Sequence, residues 1–293
     1  MRLIVLLMYA VFACACARVP PTPEADDAPD AARLVVLSPA LTIMLADVGA
    51  QHLIVGRHDF DLTLRHLPAA GHQGAIDYEM LLLLQPTHVL IEWGERALPT
   101  RLVALSAQHN WELEHVTLLT LDDISRVADD MHTRFGAKPE SEPPSAVLAR
   151  ALEPRRPSLV GVGRVLLLGT LDPPAALGPG SWHHQMLLRL GATPAIEHGT
   201  PWIELDREDL LTLAPDVIVL MMPREGGMGI GATGADAVSQ LGTIATLRLP
   251  AIENSRVAVL DGPLYLTPST AMTACARDLA SVLGAWAEAE EAD

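Results

Sequence analysis

The stretch "IDYEMLLLLQPTHVLI" at residues 76–91 has a close copy, "LDREDLLTLAPDVIVL", at residues 205–220. Each copy opens with acidic residues, continues as a leucine-rich amphipathic run, reaches a proline and closes on a short apolar run. This pattern predicts a helix that ends before the proline and is followed by a buried strand. A helix and strand that occur twice indicate two similar halves of the chain.

The segments before the two copies are also alike. "RLVVLSPALTIMLADVGAQHLIVG", from Arg33, predicts a strand, a helix ending at Gly49 and a second strand near Ile54. "RVLLLGTLDPP", from Arg164, predicts a strand, and "HHQMLLRLGATPAI" predicts a helix ending at Gly191. Strand and helix alternate as in a parallel sheet. We therefore expect an α/β protein with two similar lobes, each a parallel-sheet βα sandwich.

The middle of the chain has a different character. Residues 121–135 have helical periodicity, and residues 145–152 form a second helical stretch beside the proline-rich "KPESEPP" and "EPRRP". We assign residues 33–120 to the first lobe, 121–160 to a helical connector and 161–293 to the second lobe. A single helical link would leave the lobes facing each other across a ligand cleft, with limited hinge freedom.

Composition limits the partners of the protein. The chain of 293 residues is 49% hydrophobic but only 4% aromatic, so its core must consist largely of aliphatic side chains. Its formal net charge of -16 and its lack of clustered Lys and Arg argue against a nucleic-acid partner or an anionic membrane surface.

Residues 1–17 are typical of an export signal, with one Arg, an apolar run and small residues, and residues 18–32 form a Pro- and Asp-rich tether. The apolar run, residues 3–13, spans about 16 Å as a helix, which is too short for a membrane core of ~30 Å. The segment before Cys14 resembles a bacterial lipoprotein box, so Cys14, or Cys16 in its place, is the candidate for lipidation. Ordinary signal cleavage after Ala17 is the alternative. Cys275 is the only other cysteine, which excludes an intrachain disulfide and a cysteine-based zinc site in the folded part.

Four segments in order carry a family resemblance: "RLVVLSPALTIMLADVGAQHLIVGRHDFD", "GAIDYEMLLLLQPTHVLIEWG", "PWIELDREDLLTLAPDVIVL" and "LPAIENSRVAVLDG". The chain resembles the periplasmic solute-binding proteins of iron-siderophore, haem and cobalamin ABC importers, although its connector is shorter and richer in proline than theirs. The resemblance implies a monomer in the periplasm or on the extracytoplasmic face, and the lipoprotein box predicts that a lipid anchor is its one contact with the membrane. It would have no intrinsic cofactor and no enzymatic activity, and would deliver a cobalamin-like or ferric siderophore-like chelate to a permease and its ATPase.

The resemblance also assigns a role to the acidic residues of the repeat. Asp77 and Asp206 are expected to be helix N-caps, which places Glu79 and Glu208 in the first helical turn. The family presents one glutamate from the tip of each lobe to arginine pockets of the permease. Glu79 and Glu208 match these docking positions.

Open parallel sheets bind ligands beyond the carboxyl ends of their strands, and the loops expected there hold most of the scarce aromatic residues. The candidate ligand-binding residues are His58, His72, Trp93, Trp182, His183, Trp202 and Tyr265. Trp202 is the leading one, since cobalamin-type members carry a tryptophan in a similar "PW" context. His72 stands where haem-binding members carry an iron-ligating tyrosine, which argues against haem ligation of the usual kind. His58, His72, His183 and His184 are the candidate metal ligands.

Two alternatives remain open at this stage. The cleft histidines could bind a free divalent ion such as zinc, cobalt or nickel. Alternatively, the chain could be an enzyme on a doubly wound fold, using "GIGATG" at residues 229–234. That motif does not turn directly from a strand into a helix as a dinucleotide fingerprint does, so we expect a mobile loop at the cleft mouth.

Overall fold

A computed structural model of the chain describes residues 32–61, 63–138, 140–154 and 158–292. The first lobe holds β1 (Leu34–Leu37), α1 (Pro39–Asp47), β2 (Ile54–Arg57), β3 (Gly71–His72), β4 (Ala75–Ile76), α2 (Tyr78–Leu84), β5 (His88–Glu92), α3 (Thr100–His109) and β6 (Glu112–Val116). Two helices follow, α4 (Leu121–Phe135) and α5 (Pro144–Ala151). The second lobe holds β7 (Arg164–Leu171), β8 (Pro174–Leu177), α6 (Trp182–Arg189), β9 (Thr193–Pro194), β10 (Trp202–Glu204), α7 (Arg207–Leu213), β11 (Val217–Met221), β12 (Ile230–Thr233), α8 (Ala235–Ser239), α9 (Pro250–Glu253), β13 (Val257–Leu260) and α10 (Met272–Ala292).

The main sheet of each lobe contains four parallel strands in the same arrangement. The first sheet has the order β2-β1-β5-β6, with every pair parallel. In the second sheet, β9, β7, β11 and β13 pair in the corresponding order and are also parallel. The second sheet adds three antiparallel strands, β8, β10 and β12. The predicted α/β fold with two similar lobes is confirmed, and the repeat in the sequence is a repeat of this parallel core.

The central strands of the two large sheets are buried on both faces. In β1, Leu34 and Val36 lie in one hydrophobic cluster, whereas Val35 and Leu37 lie in another, as the alternation of a strand requires. The cluster that contains Leu34 extends through α1, α4, α5, α6 and α10 to the inner face of the second sheet. Helices α2 and α7 contribute to separate outer clusters. One shared core therefore connects the lobes, while α2 and α7 occupy equivalent outer positions.

Both helices expected in the connector are present. Helix α4 begins at a capping box, in which the Thr120 side chain accepts from the backbone of Asp123 and the Asp123 side chain accepts from the backbone of Thr120. Its apolar face is buried. At its start, the Leu121 backbone N–H donates to Gln185 Oε1 of α6 at 3.0 Å. The connector is thus packed against the second lobe.

The "GIGATG" segment is an edge strand, so the expectation of a mobile loop is wrong for residues 230–233. These residues form β12, which pairs antiparallel with β13. Two glycines of the segment have packing reasons: a Cβ on Gly229 would clash with the Asp278 side chain, and one on Gly231 would lie 2.6 Å from Asp261. Close backbone packing explains the glycines without a nucleotide.

Candidate functional site

The carboxyl ends of the first sheet bring polar side chains together at one edge. Ser38, directly after β1, donates through Oγ to Glu92 Oε2 at 2.9 Å, and Gln73 Nε2 donates to the Glu92 carbonyl at 2.7 Å. Burial raises the pKa of Glu92, and the hydrogen bond from Ser38 opposes that shift. Of the Glu92 side-chain oxygens, only Oε2 has a hydrogen bond within the described residues, so Oε1 can accept one more.

An aromatic group follows β2 at the same edge. The ring centroid of Phe60 lies 5.6 Å from that of His58 and 5.2 Å from that of His72. Phe60 is 69% exposed, although large apolar side chains are normally covered. The three rings are tilted against one another by 44–68° and His58 is buried, so Phe60 provides the open flat face on which a planar ligand can stack.

Asp59 fixes the orientation of His72. Its Oδ2 lies 2.9 Å from His72 Nδ1, and its Oδ1 accepts from the Gly71 backbone N–H at 3.0 Å. A carboxylate accepts only, so in the neutral imidazole Nδ1 carries the proton and Nε2 has the lone pair. Carboxylates hold metal-ligating histidines in this way. His72 therefore presents a nitrogen that can bind a metal ion.

His58 has the opposite tautomer. The Phe60 backbone N–H donates to its Nδ1 at 3.2 Å, which leaves the proton on Nε2. Burial lowers the pKa of His58, and this effect exceeds the opposing attraction of Asp59. His58 is thus a neutral hydrogen-bond donor rather than a ready metal ligand.

Two tryptophans lie near strand ends with partly open rings. Trp93 follows β5, where its Nε1 donates to the Ala97 carbonyl at 3.1 Å and the Arg96 guanidinium lies 4.7 Å from the ring centroid. Trp202, on β10 of the second lobe, is 46% exposed. Its indole lies over Gly169 of β7, where a Cβ would come within 2.8 Å of the ring. The missing side chain at Gly169 lets the indole lie on the sheet.

Four other candidates are packed into the second lobe. His183 is buried, its Nε2 donates to the Tyr265 carbonyl at 2.7 Å, and burial lowers its pKa to about 3. His184 is also buried, and its Nε2 donates to the Ile196 carbonyl at 3.1 Å. Neither histidine directs a free Nε2 toward a ligand in this structure. Both support the structure around the start of α6.

Tyr265 and Trp182 are likewise turned toward the protein interior. Tyr265 is buried, and its hydroxyl donates to Asp278 of α10. Burial, reinforced by Asp278, raises the pKa of Tyr265. Trp182 packs against the main core as a half-buried side chain. Packing against the protein therefore covers most of the ring surface that Tyr265 and Trp182 were expected to offer a ligand.

The loop after β11 carries two features that sequence reasoning did not single out. Arg224 donates through Nε to Asp261 Oδ2 at 2.7 Å, and Asp261 Oδ1 accepts from the Gly229 backbone N–H at 2.9 Å. The Arg224 side chain remains 59% exposed, and Met228 nearby is 91% exposed. The ion pair fixes a loop that presents a cation and a flexible apolar side chain at the strand ends.

The described residues contain no metal-binding cluster and no membrane span, and their one cysteine is buried. Within residues 32–61, 63–138, 140–154 and 158–292, no group of three or more His, Cys, Asp or Glu could hold a metal ion. No helix in the same residues is long and apolar enough to cross a membrane. Cys275 is buried, which raises the pKa of its thiol. Cys14 and Cys16 lie outside the described residues.

Comparison with known proteins identifies the fold. No family model matches the chain, and no curated protein matches its sequence. The periplasmic vitamin B12 binding protein BtuF of Vibrio cholerae is similar in structure, with a TM-score of 0.62 and 17% identity over 87% of this chain and 97% of that one. The periplasmic heme-binding protein RhuT from Roseiflexus sp. RS-1, in apo form, has a TM-score of 0.61 and 19% identity over 88% and 99% of the two chains. The periplasmic heme-binding protein HutB of Vibrio cholerae has a TM-score of 0.62 and 21% identity over 86% of this chain and 98% of that one. The chain thus has the two-lobed fold of these periplasmic binding proteins.

Proposed function

We propose that the protein is the extracytoplasmic substrate-binding component of an ABC importer, and that it captures a metal chelate and delivers it to a permease without breaking a bond. The main support is the geometry of His72. Its Nδ1 is hydrogen-bonded to Asp59, which leaves Nε2 as a possible metal ligand, and its ring lies beside the exposed ring of Phe60. An oriented metal ligand beside a flat apolar face suits a planar chelate with an open coordination position. The fold, shared with proteins that bind vitamin B12 or heme, supports the proposal.

The number of protein ligands favours a chelate over a bare ion. A bound zinc ion takes three or four protein ligands. The described residues contain no group of three candidate ligands, and His183 and His184 have their Nε2 atoms occupied by carbonyls. His72 can supply one ligand, and the chelator would supply the others.

Other strand-end residues would determine which chelate fits. Trp202 would provide a stacking surface from the second lobe. The free Glu92 oxygen suits a hydrogen-bond donor such as an amide, and it would repel a carboxylate. Arg96 and Arg224 are exposed cations near the strand ends, and they would favour a carboxylate or another anionic group.

Delivery would use the outer tips of the lobes. Asp77 and Asp206 cap α2 and α7 through their side chains, as expected, and both Glu79 and Glu208 are exposed in the first turns. The proposed docking role of the two glutamates rests on this exposure, on the equivalent positions of α2 and α7, and on the family resemblance. Anchoring through Cys14 or Cys16 on the outer face of the membrane belongs to the same proposal.

The first test is a binding titration against four probes: aquacobalamin, hemin, a ferric hydroxamate siderophore and zinc chloride. We expect tight binding of a tetrapyrrole, with a shift of its absorption band when His72 binds the metal. His72→Ala should weaken binding of that probe about 10-fold to 100-fold. His198→Ala is the matched control, because His198 is exposed and has no hydrogen bond within the described residues.

A second variant separates stacking from metal ligation. Trp202→Ala should cost about 1–3 kcal/mol of binding free energy for any large flat chelate, without removing the spectral shift. Zinc binding that is tighter than binding of all three chelates, and is lost in His72→Ala, would contradict the proposal in favour of a free-ion carrier. Absence of binding to all four probes would also contradict it.

A further inference from the structure

A cavity of about 480 Å³ lies away from the strand-end site. Ser38, at the strand ends, caps the start of α1, whereas Asp47, the last residue of α1, lines the cavity. The length of α1, about 14 Å, therefore separates the cavity from the strand ends. The volume lies within the ~300–1,000 Å³ typical of small-molecule sites.

The lining of this cavity comes from both lobes and the connector. Its residues are Asp47, Val48, Gly49, His132, Ala137, Lys138, Ser141, Glu142, Pro144, Val147, Thr270, Thr273 and Arg277. The Thr270 hydroxyl donates to Asp47 Oδ2, which directly joins α1 to the segment before α10. A molecule in the cavity would thus touch α1, the connector and α10 together.

A buried histidine lies in the lining of the cavity. His132 is 6% exposed and lines the cavity, and its Nε2 has no hydrogen-bond partner within the described residues. Buried polar atoms are nearly always paired, because an unpaired one loses its hydration without compensation. Nε2 is itself enclosed by protein atoms, so a ligand in the cavity does not reach it, and His132 serves as a reporter in the cavity wall.

The charges of the lining indicate the class of ligand. Glu142 is neutralised by Arg150, whose Nη2 donates to Glu142 Oε2 at 2.6 Å, whereas Asp47 keeps its negative charge because the Thr270 hydroxyl that donates to it is neutral. Lys138 and Arg277 have no carboxylate partner within the described residues. Lys138 and Arg277 together outweigh Asp47, so the lining keeps one net positive charge, which favours an anion.

We propose that this cavity binds a small organic carboxylate. Arg277 and Lys138 would hold the carboxylate, since a guanidinium fork matches its two oxygens. The apolar part of the ligand would lie against Val48 and Val147. Because α1, the connector and α10 all line the cavity, the ligand would bridge the two lobes.

The test uses three probes of the same shape, isobutyrate, isobutyramide and isobutylamine, with the full chain. Isobutyrate should shift the ring-proton NMR signals of His132 saturably, whereas the neutral amide and the amine should not. Arg277→Gln should weaken isobutyrate binding about tenfold, because the charge-assisted contact is lost. Arg248→Gln, at an exposed arginine outside the cavity, should leave the affinity unchanged.

Three results would overturn the proposal. Equal binding of isobutyramide would show that no carboxylate is recognised, and unchanged affinity in an Arg277→Gln, Lys138→Gln double variant would place binding elsewhere. Inorganic phosphate binding more tightly than isobutyrate would exclude an organic ligand class. Because both residues are exposed, the variants should keep the melting temperature of the parent chain, which verifies that folding is intact.

Discussion

The two copies of the helix and strand repeat, α2 with β5 and α7 with β11, fold in the same way in the two lobes. Each helix starts at a capping aspartate and buries one leucine, Leu81 or Leu210. Each ends at a left-handed residue, Gln85 with φ 46 or Ala214 with φ 38. A buried proline follows in both copies. The repeated sequence therefore forms the same local structure in both lobes.

The likeness extends to contacts that the repeat does not contain. Arg33, just before β1, donates through Nη2 to the Leu84 carbonyl at 2.8 Å, at the end of α2. Arg164, which begins β7, donates through Nη2 to the Ala214 carbonyl at 3.1 Å, at the end of α7. Cations at helix C-termini satisfy free carbonyls and interact favourably with the helix dipole. An arginine at the first strand of each lobe thus holds the end of the repeated helix.

The copies differ at the third helical residue. In α7, Asp209 completes a capping box, with its Oδ2 accepting from the Asp206 backbone N–H at 2.9 Å. In α2 the equivalent residue is Met80, and the Asp77 backbone N–H instead donates to the Ala70 carbonyl at 3.1 Å. In the second lobe, the backbone N–H of the capping aspartate is bonded to a side chain of its own helix. In the first lobe, the corresponding N–H is bonded to a carbonyl of the chain just before the β3-β4 hairpin. The same helix start can therefore be stabilised locally or by tertiary contact.

The largest expected loss of stability comes from replacing the buried leucines of α2 and α7. Leu81→Ala and Leu210→Ala should each lower the free energy of unfolding by about 2–5 kcal/mol, because both leave a cavity in an outer core. The exposed neighbours Leu82 and Leu211 provide matched controls, and their replacement by Ala should cost far less. Urea unfolding would measure all four. A cost below about 1 kcal/mol at one leucine would break the equivalence of the lobes.

Replacing the helix caps should cost less stability, and the costs should differ between the two copies. Asp77→Ala and Asp206→Ala should each cost about 0.5–2 kcal/mol, the usual loss for a cap. Asp209→Ala should cost a further amount in α7 alone, about 0.5–1.5 kcal/mol for its hydrogen bond. The Asp206→Ala, Asp209→Ala double variant should cost less than the sum, since both changes fray one turn. An Asp209→Ala variant as stable as the parent would remove the proposed distinction.

The docking glutamates should affect stability least. Glu79→Gln and Glu208→Gln should each cost at most about 0.3–1 kcal/mol, the interaction of a carboxylate with the helix dipole. Chelate affinity should not change, but uptake by cells should fall, and fall further in the double variant, because contacts with the permease are lost. Glu253→Gln, an exposed first-turn glutamate of α9, is the matched control. Full uptake by the double variant would assign the two glutamates a capping role alone.

Sequence reasoning succeeded where the signal was local. Periodicity located α4 and both copies of the repeat, and the acidic openings located the caps at Asp77 and Asp206. It did less well with side chains on loops. Position alone did not distinguish His72, which keeps a free Nε2, from His183, which is bonded to the Tyr265 carbonyl. Phe60 was not selected, because its exposure is not visible in the sequence.

The sequence by itself determined the two parallel cores, the caps and the order of the elements, because hydrophobic periodicity and capping act over a few residues. Only the tertiary structure decided the direction of the histidines and tryptophans. Asp59 is 13 positions from His72, and the carbonyl that holds His183 is 82 positions away. Such contacts depend on which strands become neighbours, so the metal-binding nitrogen and the open stacking surfaces arise only when the sheets assemble.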